Sequence, residues 1–273
     1  MELIVFDLDG TLLNRDSVIS NYTRDTLSLL RDRDIAYTVA TGRTLHAASK
    51  LLEGQNFTLP QIYKNGVMIW HPREDAYSHK YLLTESEVRQ VLQAFFEQGV
   101  TPFVFTLEEN NRHAVYHPPI QSEAEVRLVE ELSINRGLPI LPLSELPGGV
   151  EITNISALGP KSAIDQVTSL VATEDHLVAY RGVGLKSSDV YWLDIHHSEG
   201  SKGAAISQLK RDLGVSRVIC FGDSDNDLSM FEQADEAYAP ENSIPDVKAA
   251  ATKVIGHHDE DGIARFLRQR FAL

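Results

Sequence analysis

The chain has 273 residues, 42% hydrophobic and 23% charged, an ordinary composition for a globular protein of one large or two modest domains. Its formal net charge of -14 argues against nucleic acid or an acidic membrane surface as a partner, while a local cation in a cleft still leaves room for a small anionic substrate. The one cysteine, Cys220, excludes an intramolecular disulfide, no run approaches about 18 apolar residues, and a strand beginning two residues from Met1 leaves no room for a signal peptide, so a cytoplasmic protein is expected.

The opening stretch runs Leu3-Ile4-Val5-Phe6 into Asp7-Leu8-Asp9-Gly10-Thr11. Strand alternation would set Asp7 and Asp9 on one side, where two carboxylates repel and call for a counter-ion. A hard cation with oxygen ligands, Mg²⁺ above all, is the natural candidate. A turn-rich piece leads to Asn21, expected to cap a helix over Tyr22–Arg33 with Leu27 and Leu30 inward. A strand over Ile35–Ala40 ends in Thr41-Gly42-Arg43. A helix from Thr44 to Leu52 and a strand-like Gln61–Trp70, broken at Lys64-Asn65-Gly66, follow. This alternation predicts βαβ units and a parallel sheet.

From Leu83 the texture changes. Thr84–Glu87 is a capping box opening an amphipathic helix through Val88, Val91, Leu92, Phe95 and Phe96. Strands over Thr101–Leu107 and His113–His117 flank an Asn110-Asn111 turn, a second capping box over Ser122–Glu125 starts a helix, and Pro139–Gly149 reads as loop. Then come a strand (Val150–Leu158), a helix (Pro160–Val171) and two strands (His176–Arg181, Val190–His196). The pattern is α+β, and residues 83–188 are taken as an insert in a core made of residues 1–82 and 189–273. Alternation returns with a helix over Gly203–Leu213, a buried strand over Arg217–Phe221, the loop Gly222-Asp223-Ser224-Asp225-Asn226-Asp227, and further short helices and strands to Arg270. His257-His258-Asp259-Glu260-Asp261 reads as the polar lead-in to the last helix, and Phe95, Phe96, Phe103 and Phe105 as packing residues.

Three loops, at Asp7–Asp9, at Thr41 and at Gly222–Asp227, each follow an apolar strand of the parallel type, so all three belong to the carboxyl edge of one sheet, where α/β proteins bind ligands. In combination these motifs resemble those of the haloacid dehalogenase superfamily, specifically its Cof-type, sugar-phosphatase-like branch. Asp7-Leu8-Asp9-Gly10-Thr11 is similar to the first motif, Thr41-Gly42-Arg43 to the second, Lys202 in Ser201-Lys202-Gly203 to the third and Gly222–Asp227 to the fourth, with the insert where that branch carries an α/β cap of type C2.

The resemblance implies an α/β fold with a Rossmann-like parallel-sheet core and an α+β cap supplying the leaving-group pocket. It implies a Mg²⁺-dependent phosphatase acting on a small phosphorylated metabolite, a sugar phosphate or similar, by way of an aspartyl-phosphate. In that scheme Asp7 is the nucleophile and Asp9 the general acid and base. Mg²⁺ sits on Asp7, Asp223 and the Asp9 carbonyl, and Leu8, Thr41, Gly42, Lys202 and Asn226 hold the phosphoryl oxygens. Asp227 is read as holding the lysine or reaching the metal through water, with direct ligation of the metal the rival reading, Arg43 as a contact to the substrate or the cap or a structural ion pair, and Asn65 as substrate-facing or a simple turn. Counting charges, Asp7, Asp9, Asp223, Asp227 and a phosphate dianion outweigh Mg²⁺ and Lys202 by about three units, which predicts strict metal dependence. A sugar-phosphate mutase of the same superfamily and a non-catalytic phosphometabolite-binding regulator are the rival readings. An acid/base such as Asp9 is superfluous in a binder.

Overall fold

The computed structural model describes residues 2–184 and 189–273. Its strands are β1 Glu2–Phe6, β2 Ala36–Val39, β3 Gln61–Tyr63, β4 Met68–His71, β5 Ala76–Lys80, β6 Pro102–Leu107, β7 His113–His117, β8 Ile140–Pro142, β9 Glu151–Pro160, β10 Leu177–Val183, β11 Val190–His197, β12 Arg217–Phe221, β13 Glu236–Pro240 and β14 Lys253–Ile255. Its helices are α1 Asn21–Asp32, α2 Leu45–Leu52, α3 Glu85–Glu97, α4 Glu123–Glu130, α5 Lys161–Val171, α6 Lys202–Leu213, α7 Leu228–Gln233, α8 Pro245–Ala250 and α9 Gly262–Phe271. They fall into two compact units, Met1–Lys80 with Gly200–Leu273, and Tyr81–Glu199.

The first unit is built on a five-stranded parallel sheet ordered β14-β13-β12-β1-β2. Its central strands are buried on both faces, which is why Leu3–Phe6 and Val218–Phe221 are unbroken apolar runs. One face packs Leu27, Leu30, Ile263 and Leu267 from α1 and α9, the other Ile206 and Leu209 from α6 with Met230 from α7. The chain moves from β1 to β2 on one side, while β12 pairs with β1 on the other. The sheet therefore changes direction between β1 and β12, leaving a crevice at their carboxyl ends. An antiparallel sheet β3-β4-β5 completes the unit.

The second unit is a six-stranded sheet ordered β10-β11-β9-β6-β7-β8, antiparallel except for the parallel β7–β8 pair. Alternate residues such as Val104, Ile155 and Ile195 pack beneath Val91, Phe95, Ile164 and Val167 of α3 and α5. On the opposite face Phe103, Phe105 and Val115 pack with Leu128, Leu132 and Leu138.

Several expectations need correction. Ser20, not Asn21, caps α1, accepting from Thr23 N at 3.0 Å. Pro139–Gly149 is not all loop: β8 pairs with β7, a parallel partnership that sequence alternation does not reveal. β5, polar and half exposed, carries no apolar pattern and was not anticipated. Phe96 is exposed on α3 rather than packed. The expected end of the insert, Ser188, lies outside the described residues. The strand after it, assigned above to the core, joins the second unit because β11 pairs along both edges with β9 and β10.

Candidate active site

β1 delivers Asp7 to the crevice, where Asp7 N still donates to Phe221 O of β12 at 2.9 Å. Strand geometry then stops. Leu8–Leu12 curls into a helical turn, with Leu12 N and Leu13 N returning to Asp7 O and Leu8 O. Gly10 permits the curl with φ at 74°, and a Cβ there would come within 2.5 Å of Asp223 Oδ2. The same-side placement of Asp7 and Asp9 expected from strand alternation is therefore not what the chain adopts, and the two carboxylates find different partners.

Asp7 Oδ1 accepts from Lys202 Nζ at 2.6 Å, and Asp227 Oδ1 accepts from the same ammonium at 2.6 Å. All three side chains are buried, Lys202 completely. Lys202 begins α6 just after its cap, Ser201, whose hydroxyl accepts from Ala204 N. A helix amino end is an unfavourable place for a cation, and two carboxylates reverse that balance. Burial works against the charged ammonium, but Asp227 and Asp7 more than offset it and hold its pKa well above the usual lysine value.

Asp227 Oδ2 accepts from Asp223 N at 2.8 Å and Ser224 N at 3.0 Å, which folds the loop after β12 around the carboxylate. Both Asp227 oxygens are thus engaged, one of them by the lysine. Asp223 Oδ1 accepts from Thr11 Oγ1 at 2.7 Å and Oδ2 from Ser224 Oγ at 3.1 Å. Neither hydroxyl was singled out from sequence. Thr11, directly after the Asp-x-Asp-Gly turn, was the available signal.

Asp9 lies outside this buried group. Arg43 Nε and Nη2 donate to its two oxygens at 2.7 and 2.6 Å, a bidentate pair with the Asp9 side chain 53% exposed and that of Arg43 18% exposed. Of the two readings of Arg43, this geometry is an ion pair within the site. The backbone around Arg43 is pinned: its N donates to Thr41 Oγ1, its O accepts from Lys64 N, and Asn65 N donates to Thr41 O. Gly42 is the exposed centre of that loop. Asn65, with φ at 57°, is buried and accepts from Asn226 Nδ2 through Oδ1 at 2.8 Å. Asn226 Oδ1 is buried without a hydrogen-bond partner among the described residues. The site therefore brings together every residue expected from sequence: Asp7, Leu8, Asp9, Thr41, Gly42, Arg43, Asn65, Lys202, Asp223, Asn226 and Asp227.

The electrostatics favour an added cation. Burial first, then Asp227 and Asp223, push the Asp7 carboxyl well above its ordinary range despite Lys202. Burial and Asp227 likewise raise Asp223. Asp7, Asp223 and Asp227 each offer a carboxylate oxygen, all within 4.8 Å of one another. A hard divalent ion fits this oxygen-rich, anion-heavy group, with Asp7 and Asp223 the members whose oxygens are not both committed to protein cations and amides. His257, His258 and Asp259 also approach within 4.8 Å, but there both Asp259 oxygens accept from Arg15, and each imidazole Nδ1 is bound to backbone.

Among known proteins, a family model described as haloacid dehalogenase-like hydrolase matches residues 4–267. The chain is 26% identical over 275 residues to the 5-amino-6-(5-phospho-D-ribitylamino)uracil phosphatase YitU of Bacillus subtilis, covering 99% of this chain and 98% of that protein. It is 26% identical to the HMP-PP phosphatase of Shigella boydii, covering 97% and 98%. The solved structure of a haloacid dehalogenase subclass IIB sugar phosphatase superposes with a TM-score of 0.77 at 22% identity, over 100% of this chain and 99% of that one, a likeness of fold.

Proposed function

Since this chain belongs to the haloacid dehalogenase-like hydrolases and is a phosphatase, we propose that it hydrolyses small phosphorylated metabolites by transferring the phosphoryl group to Asp7. The observation that carries this reading is the buried Lys202 ammonium shared at 2.6 Å by Asp7 and Asp227, beside the Asp223 carboxylate. A carboxylate tethered in this way presents a fixed oxygen to an incoming phosphorus, and the same ammonium neutralises charge as the phosphoryl group arrives.

In the first step an Asp7 oxygen bonds to phosphorus, the ester P–O bond breaks, and the leaving alkoxide takes a proton from Asp9. In the second, water attacks the phosphorus of the aspartyl-phosphate and gives a proton to Asp9, and the bond to Asp7 breaks to release inorganic phosphate. Asp9 must part from Arg43 to do this, since both its oxygens are held there. Thr41, the Gly42 and Leu8 amides, Lys202 and the second Nδ2 hydrogen of Asn226 hold the phosphoryl oxygens, the first Nδ2 hydrogen being donated to Asn65. Asp7, Asp223 and the main-chain carbonyl of Asp9 would hold Mg²⁺, which would supply charge neutralisation at the phosphoryl oxygens.

The substrate class proposed is a phosphorylated sugar, polyol or similar small molecule. The name of the YitU relative specifies a phosphoribityl compound, which supports this class. The test is release of inorganic phosphate from p-nitrophenyl phosphate and a panel of phosphorylated metabolites with Mg²⁺, alongside Asp9→Asn. Turnover by the wild type and a loss of about 10²–10⁴-fold in the variant is expected. Near-native turnover by Asp9→Asn overturns the assigned acid/base, and an isomeric phosphate in place of inorganic phosphate indicates a mutase.

A further inference from the structure

β3 runs into a turn, Lys64-Asn65-Gly66, whose three residues all have positive φ, at 50°, 57° and 104°. Glycine takes such values freely and asparagine tolerates them, but a lysine rarely does. Consecutive left-handed residues persist only where their surroundings hold them. The turn is buried, with Lys64 7% and Asn65 6% exposed. The phosphoryl-transfer steps do not use it directly.

What holds the turn is the phosphate grip itself, on three sides. Lys64 N donates to Arg43 O at 3.1 Å and Asn65 N to Thr41 O at 3.0 Å, which stitches the turn's backbone to the loop after β2. Gly66 lies so close to the residue before Lys202 that a Cβ would come within 2.1 Å of Ser201 O. The Asn65 side chain takes the third side. Its Oδ1 accepts from Asn226 Nδ2 at 2.8 Å and stands 3.0 Å from where a Cβ on Gly42 would be. One carbonyl oxygen thus ties the loop after β2 to the loop after β12.

An acceptor at that point fixes which end of the Asn226 amide the site presents. Asn65 Oδ1 receives an N–H and repels a carbonyl, so it selects the orientation in which Nδ2 keeps one further hydrogen to give. In that orientation Asn226 Oδ1 is buried without a hydrogen-bond partner among the described residues, which is unfavourable for the amide by itself. With the amide reversed, a carbonyl oxygen would meet the phosphoryl anion in place of a donor. We propose that Asn65 is a positioning residue for phosphoryl transfer: it touches no reacting atom and holds the Asn226 amide as a donor to the phosphoryl oxygens, beside the Gly42 amide. Its effect on turnover rests on the phosphatase reading, and its effect on anion binding does not.

The experiment is a double-variant cycle on turnover of p-nitrophenyl phosphate with Mg²⁺, using Asn65→Gly, Asn226→Ala and the two together. Glycine suits the left-handed backbone, so Asn65→Gly removes the carbonyl and keeps the turn. Asn65→Gly is expected to lower kcat/KM about tenfold or more, Asn226→Ala at least as much, and the pair no further than Asn226→Ala alone. A purely structural turn would act independently of Asn226. Losses that multiply, or a change below about twofold in Asn65→Gly, therefore overturn the proposal. If Asn65→Gly folds poorly, Gly42→Ala displaces the same carbonyl from the other side, and the same comparison against Asn226→Ala decides. If the wild type releases no phosphate, the phosphatase reading fails, and calorimetric titration of the same four proteins with inorganic phosphate still decides. Weaker binding in Asn65→Gly that disappears in the Asn226→Ala background supports the positioning role, and equal binding in all four, or none by the wild type, overturns it.

Discussion

Lys202 shows how much one residue determines in this site. Removing its charge leaves Asp7 and Asp227 buried without a cation, and breaking such a pair costs about 3–5 kcal/mol. Lys202→Met should therefore lower the midpoint of urea unfolding by an amount corresponding to that cost, and also abolish phosphate release. An unchanged midpoint would contradict the buried geometry. Thr11 acts at one remove, through a hydroxyl hydrogen bond to Asp223. Groups that orient metal ligands typically contribute 10–100-fold in metal affinity. Thr11→Val is expected to raise the Mg²⁺ concentration for half-maximal activity by at least about tenfold with kcat at saturating Mg²⁺ changed much less. A metal response identical to wild type would remove Thr11 from the site's support.

At the scale of elements, edges and ends matter most. β13 carries Glu236, which joins Arg217 of β12 and Arg270 of α9, the latter at 3.0 Å, and accepts from Tyr238. Burial alone would raise this carboxyl, but hydrogen bonds from Arg270 and Tyr238, with the two guanidinium charges, hold it down at about 2. A folded-state pKa below the unfolded value stabilises the protein above the unfolded pKa, and that contribution disappears as pH falls through about 2. Glu236→Gln should lower Tm by roughly 3 °C at pH 7, with the gap between variant and wild type closing as the pH drops below about 4. A gap independent of pH would mean that the charge is not what Glu236 contributes. The turn after β1 belongs to this scale too. Helical closure over Leu8–Leu12 separates Asp7 from Asp9, sending one to Lys202 and the other to Arg43.

For the molecule as a whole, the acidic balance of the chain extends into the site. Four carboxylates, of Asp7, Asp9, Asp223 and Asp227, face the two cations Lys202 and Arg43, a deficit of about two positive charges before any phosphate arrives. Arg43 was absent from the count made on sequence, and its inclusion eases the imbalance without removing it. Excess EDTA is accordingly expected to abolish activity, and Mg²⁺ to restore it. Full activity in chelator would show that protein cations suffice. Among the described residues no helix is long and apolar enough to cross a membrane.

The α/β alternation, the parallel core sheet, both capping boxes and the identity of the clustered residues were legible in the chain, because each is written in short-range patterns. Buried parallel strands need continuous apolar runs, helices a repeating stripe, and a strand-end ligand site polar residues directly after those runs. What only the tertiary structure decided are pairings between residues far apart in sequence. Arg43 engages Asp9 across 34 positions, Thr11 reaches Asp223 across 212, and Lys202 meets Asp7 across 195. For the same reason β8 reads as loop and β11 as part of the core in sequence, since a strand's sheet is set by the partner whose register it satisfies and not by its own residues. Asn65 is the plainest instance. In sequence it is half of an Asn-Gly turn signal, and only the tertiary structure gives it Asn226 as a partner, across 161 positions, because a hydrogen bond between two loops exists only once the strands before them have set both at one edge.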